Sequence, residues 1–96
     1  MLESLRKEDF EALVGRTLKV TTDASSTELE LAEARELKSP SPRATPPFRL
    51  ILRSRSGWRA AQGMFRVEHP TLDVIEMFAV PIGPDAVGLC YEVVFN

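Results

Sequence analysis

Apolar residues recur at every second position along most of this chain, the period of a β-strand rather than of a helix. In the final third three such runs follow one another: Met64 to His69, Val74 to Val80 and Leu89 to Phe95. Each is rich in β-branched and aromatic residues and too short for a typical helix, which predicts three strands. Their separators, Pro70 to Asp73 and Pro81 to Gly88, are shorter than the roughly dozen residues of a parallel crossover, so the strands run antiparallel. Pro84 and Asp85 suit the two central positions of a type I turn, with Gly83 and Gly88 easing the backbone on either side. The middle run carries Val74, Phe78 and Val80 on one side and Ile75, Met77 and Ala79 on the other. Apolarity on both sides predicts burial on both, by a second layer, a closed barrel or a partner chain.

Upstream the period changes once. Between residues 5 and 14, Leu5, Phe10, Leu13 and Val14 fall near one helical stripe with Arg6, Lys7, Glu8, Asp9 and Glu11 mostly away from it, predicting a short amphipathic helix over one end of the fold. Gly15 stands where such a helix ends in a left-handed residue. A half-buried strand follows from Arg16 to Thr22, then a polar turn from Asp23 to Ser26. Thr27 to Lys38 alternates again, with Leu29, Leu31 and Leu37 inward. Helix is the rival there, because Glu, Leu and Ala are good helix formers, but the alternation favours strand. Glu33 and Arg35 fall on the inward side, which marks a bend, a bulge or an exit from the core. Residues 39–47 hold Pro40, Pro42, Pro46 and Pro47 and read as a stiff, partly polyproline surface connector. Phe48 to Arg55 places Phe48, Leu50 and Leu52 inward and Arg49, Arg53 and Arg55 outward, and Ser56-Gly57 turns toward Trp58 in a loop ending at Gln62-Gly63. The expected fold is mainly β: a small antiparallel β-barrel or roll of about six strands with a short N-terminal α-helix, residues 1–96 forming a single domain.

Composition narrows this little. A chain of 96 residues has no room for a second core, and 44% apolar with 27% charged residues is ordinary for a globular protein. The net charge of -2 points to no particular partner. Cys90 is the sole cysteine, so no intrachain disulfide forms and no oxidising compartment is needed. No apolar run reaches signal-peptide length or the roughly 18 residues of a membrane span, so a cytoplasmic protein is expected, with no membrane partner.

Charge distribution is more informative than its sum. Residues 43–67 contain six arginines (Arg43, Arg49, Arg53, Arg55, Arg59 and Arg66) and no acid, while residues 68–96 contain five acids and neither lysine nor arginine. Strand alternation gathers Arg49, Arg53 and Arg55 on one face, with Arg66 across the hairpin and Trp58 at the tip. Guanidinium forks suit phosphate and carboxylate, so Arg49, Arg53, Arg55, Trp58, Arg59 and Arg66 form a candidate interaction surface. The alternative is a solvated strand face whose arginines pair with the glutamates of the Glu28 to Glu36 strand or with the acidic last third, and the acidic overall balance favours it. His69, the one histidine, falls inward just before Pro70 and reads as a rim residue bonded to backbone rather than a base. Beside Glu68, Asp73 and Glu76 it makes a poor transition-metal site, lacking a second imidazole or a cysteine. No nucleophile elbow or glycine-rich phosphate loop is present, and Cys90 lies in an apolar strand. No catalytic residue, cofactor or metal is expected.

Gln62-Gly63-Met64-Phe65-Arg66-Val67-Glu68-His69-Pro70 and Val80-Pro81-Ile82-Gly83-Pro84-Asp85 with Tyr91-Glu92-Val93-Val94-Phe95-Asn96 are the most specific stretches. With Met1-Leu2-Glu3, Asp9-Phe10, Leu13-Val14-Gly15 and Pro47-Phe48-Arg49-Leu50, they resemble a family of small bacterial proteins classed as a domain of unknown function. The resemblance spans nearly the whole chain. It implies a stand-alone bacterial protein and, through an association with phage-tail-collar-like proteins, an accessory role in a tail-like or surface assembly. It supplies no catalytic residues, and the Trp58 loop departs from the more proline-rich, aliphatic loop expected there. The functional expectation is a non-catalytic protein-interaction or assembly module, binding a protein partner or a second copy of itself (a homo-oligomer). The alternative is a nucleic-acid-binding small β-barrel that uses the arginine-rich strand face.

Overall fold

The six strands are β1 (Thr17–Thr21), β2 (Ser26–Glu36), β3 (Phe48–Ser54), β4 (Gly63–His69), β5 (Asp73–Pro84) and β6 (Leu89–Phe95), and one helical turn, α1 (Glu8–Glu11), precedes them. In the computed structural model they close into an antiparallel barrel with strand order β1-β2-β3-β6-β5-β4. The structure describes residues 4–38 and 45–96. Met1, Leu2 and Glu3 and residues 39–44, which include Arg43 and most of the proline connector, lie outside the described residues.

The inward positions follow the alternation. Leu18, Val20, Leu29, Leu31, Leu50, Leu52, Phe65, Val67, Ile75, Met77, Tyr91 and Val93 are buried and form one core cluster. Full burial of an aliphatic or aromatic side chain contributes about 1.5–3 kcal/mol, so this interior is the main stabilising element. The barrel closes at its narrowest seam, where β1 meets β4 through the pairs Val20↔Val67 and Thr21↔Arg66.

The second strand resolves the problem of Glu33 and Arg35. Leu31 pairs with Leu52, but Glu33 pairs with Ile51, so the register shifts by one residue at Ala32. That bulge reverses the parity of everything after it. Glu33 and Arg35 turn outward, and Ala34, opposite Leu50, packs against the core. The charged residues that looked misplaced mark where the extra residue had to be.

The helix is shorter than its apolar stripe suggested. Glu8–Glu11 is α-helical with no side-chain cap at Lys7, and Leu13 N–H then bonds to Phe10 O in a tighter turn. Leu5 and Phe10 are five residues apart, a spacing no helical face accommodates, so the chain brings both inward through a turn. Val14 is left exposed. Gly15 takes φ +92° as expected and donates its N–H to Leu31 O, tying the segment to β2. Phe10 plugs this end of the barrel against Phe48, Phe95 and His69, with ring centroids 5.9, 6.0 and 5.3 Å away.

Two further expectations are corrected. The β5 strand continues past Val80 to Pro84, where it pairs with β6 around a second bulge between Pro81 and Gly83. Pro81 and Pro84 are tolerated because this extension lies beyond the β4 pairing, which ends at Ala79. The turn after it is built on Asp85 at its first position, not on Pro84-Asp85 at its centre. Asp85 N–H bonds to Gly88 O, and the Asp85 carboxylate accepts the N–H groups of Val87 and Gly88. The second correction concerns two-sided burial. Closing the barrel buries Ile75, Met77 and Ala79 but leaves Val74 and Phe78 each 50% exposed on the outer wall.

Candidate functional site

The arginine face lies on the outer wall of β2, β3 and β6, and there it is a ladder of ion pairs. Arg49 meets Glu33 at 2.9 Å and Glu92 at 3.0 Å. Arg53 meets Glu30 at 2.9 Å and Asp85 at 2.6 Å, and Arg55 reaches the same Glu30 oxygen at 2.9 Å. Each of the two central guanidiniums therefore sits between a carboxylate from β2 and one from β6 or the β5–β6 turn. Ile51 points outward between them and is still only 7% exposed, as expected beneath long arginine stems. A phosphate approaching Arg49 or Arg53 would have to displace two carboxylates from each. At this exposure each pair contributes about 1 kcal/mol or less, so the ladder cancels charge more than it stabilises.

Asp85 is the ladder's most constrained member. The N–H groups of Gly88 and Val87, then the Arg53 guanidinium, hold its carboxyl far below the usual carboxylate range, and hydrogen bonds from Arg55 and Arg53 hold Glu30 low as well. Because both are depressed in the folded state, their contribution is present above the unfolded carboxylate values of about 4 and is lost as pH falls further. Unfolding free energy should be level from pH 7 to about 5 and decline below about 4. Asp85→Asn keeps an oxygen for the two turn N–H groups but loses the Arg53 pair. It should be less stable than wild type at pH 7, with the gap narrowing progressively as pH falls below about 4, measured by urea unfolding across pH. A constant gap would show that the charge on Asp85 contributes nothing.

The other sequence candidates divide. Arg66 reaches Asp23 at 3.4 Å, a long contact to a fully exposed carboxylate. Arg59 is exposed and makes no ion pair with a described residue. Trp58 is half-buried: because β3 and β4 are not neighbours, the loop between them crosses the barrel mouth and carries the indole inward. Its ring lies 5.8 Å from Phe65 and 5.9 Å from Tyr91, and its N–H donates to Ser25 Oγ at 2.9 Å. The Tyr91 hydroxyl accepts Ala60 N–H at 2.8 Å and anchors the same loop. An open cleft of about 440 Å³ lies beside it, lined by Ser54, Arg55, Gly57, Trp58, Arg59 and Leu89. Ser54 Oγ is buried there without a hydrogen-bond partner among the described residues. Arg49 and Arg53 are thus on a different wall from Arg66, and the five described arginines of this stretch do not converge.

His69 is 8% exposed at the plugged end. Its Nε2 donates to Asp9 O at 2.6 Å, leaving Nδ1 to accept the N–H groups of Thr71 and Leu72 at 3.2 Å each. Both ring nitrogens are occupied by backbone, so the imidazole fastens the β4–β5 turn to the N-terminal segment. Cys90 is buried, its Sγ 3.9 Å from Gly88 O. Among the described residues no three His, Cys, Asp or Glu side chains gather as a metal site, and no helix is long and apolar enough to cross a membrane.

The surface that sequence reasoning underrated is the outer wall of β4 and β5. Met64 pairs with Phe78 and Glu68 with Val74, with Arg66 opposite Glu76 between them. Met64 is 46% exposed, so three large apolar side chains stand half open on two adjacent strands. Alternation alone places Met64 outward, beside inward Phe65; its pairing with Phe78 needed the register. No curated protein and no solved structure matches this chain. A protein-family model does match, over residues 5–95 and so across all six strands, and the chain belongs to the family described as Domain of unknown function (DUF6916).

Proposed function

We propose that this protein is a non-catalytic protein-interaction or assembly module acting in the bacterial cytoplasm, with the outer wall of β4 and β5 as its contact surface. One observation carries the reading: Met64, Val74 and Phe78 leave about half of their surface open, where no described residue covers it. The rest of the barrel spends its chemistry internally, in arginine–carboxylate pairs and backbone-bonded His69. The motif resemblance adds a setting, an accessory role in a phage-tail-like or surface assembly.

The test is a pull-down from bacterial lysate at low and high salt, with Phe78→Asp and the triple variant Arg49→Ala/Arg53→Ala/Arg55→Ala beside wild type. The expected result is a protein retained at high salt, kept by the triple variant and reduced about tenfold by Phe78→Asp. Retention that ignores Phe78→Asp would remove this face from the proposal. The cleft beside Trp58, with Arg59 making no ion pair among the described residues, favours a second reading as a nucleic-acid-binding barrel. That reading predicts binding to single-stranded nucleic acid that falls steeply with salt and is lost in Arg59→Ala.

A further inference from the structure

We infer that the partner of the β4–β5 wall is a second copy of this chain, in a two-fold dimer whose axis runs along the strands between β4 and β5. This rests on the reading of that wall as a contact surface and names what covers it. The argument is the register. Met64 stands opposite Phe78, and Arg66 opposite Glu76. A two-fold axis midway between two paired strands lays β4 of one copy over β5 of the other at the same height. Met64 then meets Phe78 of the partner copy, and Arg66 meets Glu76, each contact occurring twice. Those two rows are complementary to themselves in shape class and charge, and the third sets Glu68, which reaches Lys19 at 3.9 Å within its own chain, over Val74 of the partner copy.

The charges support this arrangement independently. Within the chain Arg66 turns to Asp23 at 3.4 Å, and Glu76 makes no ion pair with a described residue although Arg66 is its cross-strand neighbour. Stacking two copies supplies Glu76 with a cation and places the Arg66–Glu76 pairs beside a desolvated apolar cluster, where they gain strength. Two strands with their flanks would bury roughly 1,000 Å² in total, the low end of specific interfaces, so a reversible dimer with a dissociation constant of about 1–100 µM is expected.

The experiment is sedimentation analysis of the full chain from about 1 µM to about 1 mM, with circular dichroism confirming that each variant is folded. Wild type should dimerise, and Phe78→Glu should weaken the dimer by about tenfold or more. Arg66→Glu and Glu76→Arg should each do the same, since either change places like charges across the axis. The decisive arm mixes those two variants. In the mixture the Arg66→Glu chain presents two carboxylates and the Glu76→Arg chain two guanidiniums, so both contacts across the axis pair opposite charges and a heterodimer should form although each variant alone dimerises weakly. Repulsion within each chain persists on mixing, so loss of fold cannot imitate that recovery. A wild type monomeric throughout, or a dimer indifferent to Phe78→Glu, overturns the inference, as does a mixture that fails to recover. If wild type is monomeric while Phe78-dependent capture from lysate persists, the interaction reading stands and the second copy is excluded.

Discussion

Phe10→Ala should lower the unfolding free energy by about 4 kcal/mol, the usual cost of emptying a fully buried phenylalanine site. Phe10 has no exposed surface and touches three rings from three strands: Phe48 at the start of β3, Phe95 at the end of β6 and His69 at the end of β4. Its removal opens the barrel end that α1 closes, and little can collapse into the gap, because Phe48 and Phe95 are already stacked at 4.5 Å on paired strands. A protein of this size has roughly 5–14 kcal/mol in all, so the loss is a large share of it and the variant should melt about 20 °C lower. Exposed Val14, four residues on and on the same presumed helical stripe, is the control: Val14→Ala should change stability by less than about 0.5 kcal/mol. Thermal and urea unfolding measure both. A Phe10→Ala loss below about 1.5 kcal/mol would mean that the N-terminal segment rests on the barrel without plugging it.

How much of this was legible in the sequence depends on whether the determining contact is local. The six strands, their inward faces and the antiparallel barrel class followed from alternation, because period 2 is a property of neighbouring residues. The bulge at Ala32 was visible as a parity error at Glu33 and Arg35, although which residue was extra needed the β2–β3 register. The length of α1 was overread, since Leu5 shares the plug but not a helical face with Phe10. The turn at Asp85 was misplaced by giving Pro84 its preferred turn position, when the proline instead ends a strand.

The candidate surfaces show the same division. His69 as a backbone-bonded rim residue could be read from its place before Pro70, though its partners Asp9, Thr71 and Leu72 could not. The gathering of Arg49, Arg53 and Arg55 on one face was correct, and so was the pairing with β2 glutamates and the acidic last third. Arg66 was grouped with them as lying across the hairpin and stands elsewhere, because β3 and β4 lie on separate parts of the barrel wall, while Arg59 shares only the cleft beside Trp58 with Arg55. Two-sided apolarity in β5 was a true signal, of which the closed barrel accounts for one side only, Ile75, Met77 and Ala79. A small barrel buries one face of each strand, so the leftover apolar face is information about what lies outside the chain.

Gly88→Ala should cost about 3 kcal/mol although it adds a single methyl group. A Cβ at residue 88 would fall on the Ser54 carbonyl, with the Arg53 side chain close behind. Neither neighbour can yield cheaply. Ser54 is the last residue of β3 and pairs with Leu89, while Arg53 is held by Asp85 and Glu30. The Gly88 N–H also bonds to the Asp85 carboxylate, so pushing the backbone away loosens the turn that fixes the ladder. Gly63→Ala supplies the contrast: its Cβ would meet open space at an ordinary φ, and the change should lie within about 0.5 kcal/mol of neutral. Urea unfolding of both variants at pH 7 decides the matter. Equal stabilities would mean that β3 and β6 are not held as closely as the structure places them at this end. A selective Gly88→Ala loss, with the pH dependence below 4 flattened in the same variant, would show that one close backbone approach sets both the strand spacing and the arginine–carboxylate ladder.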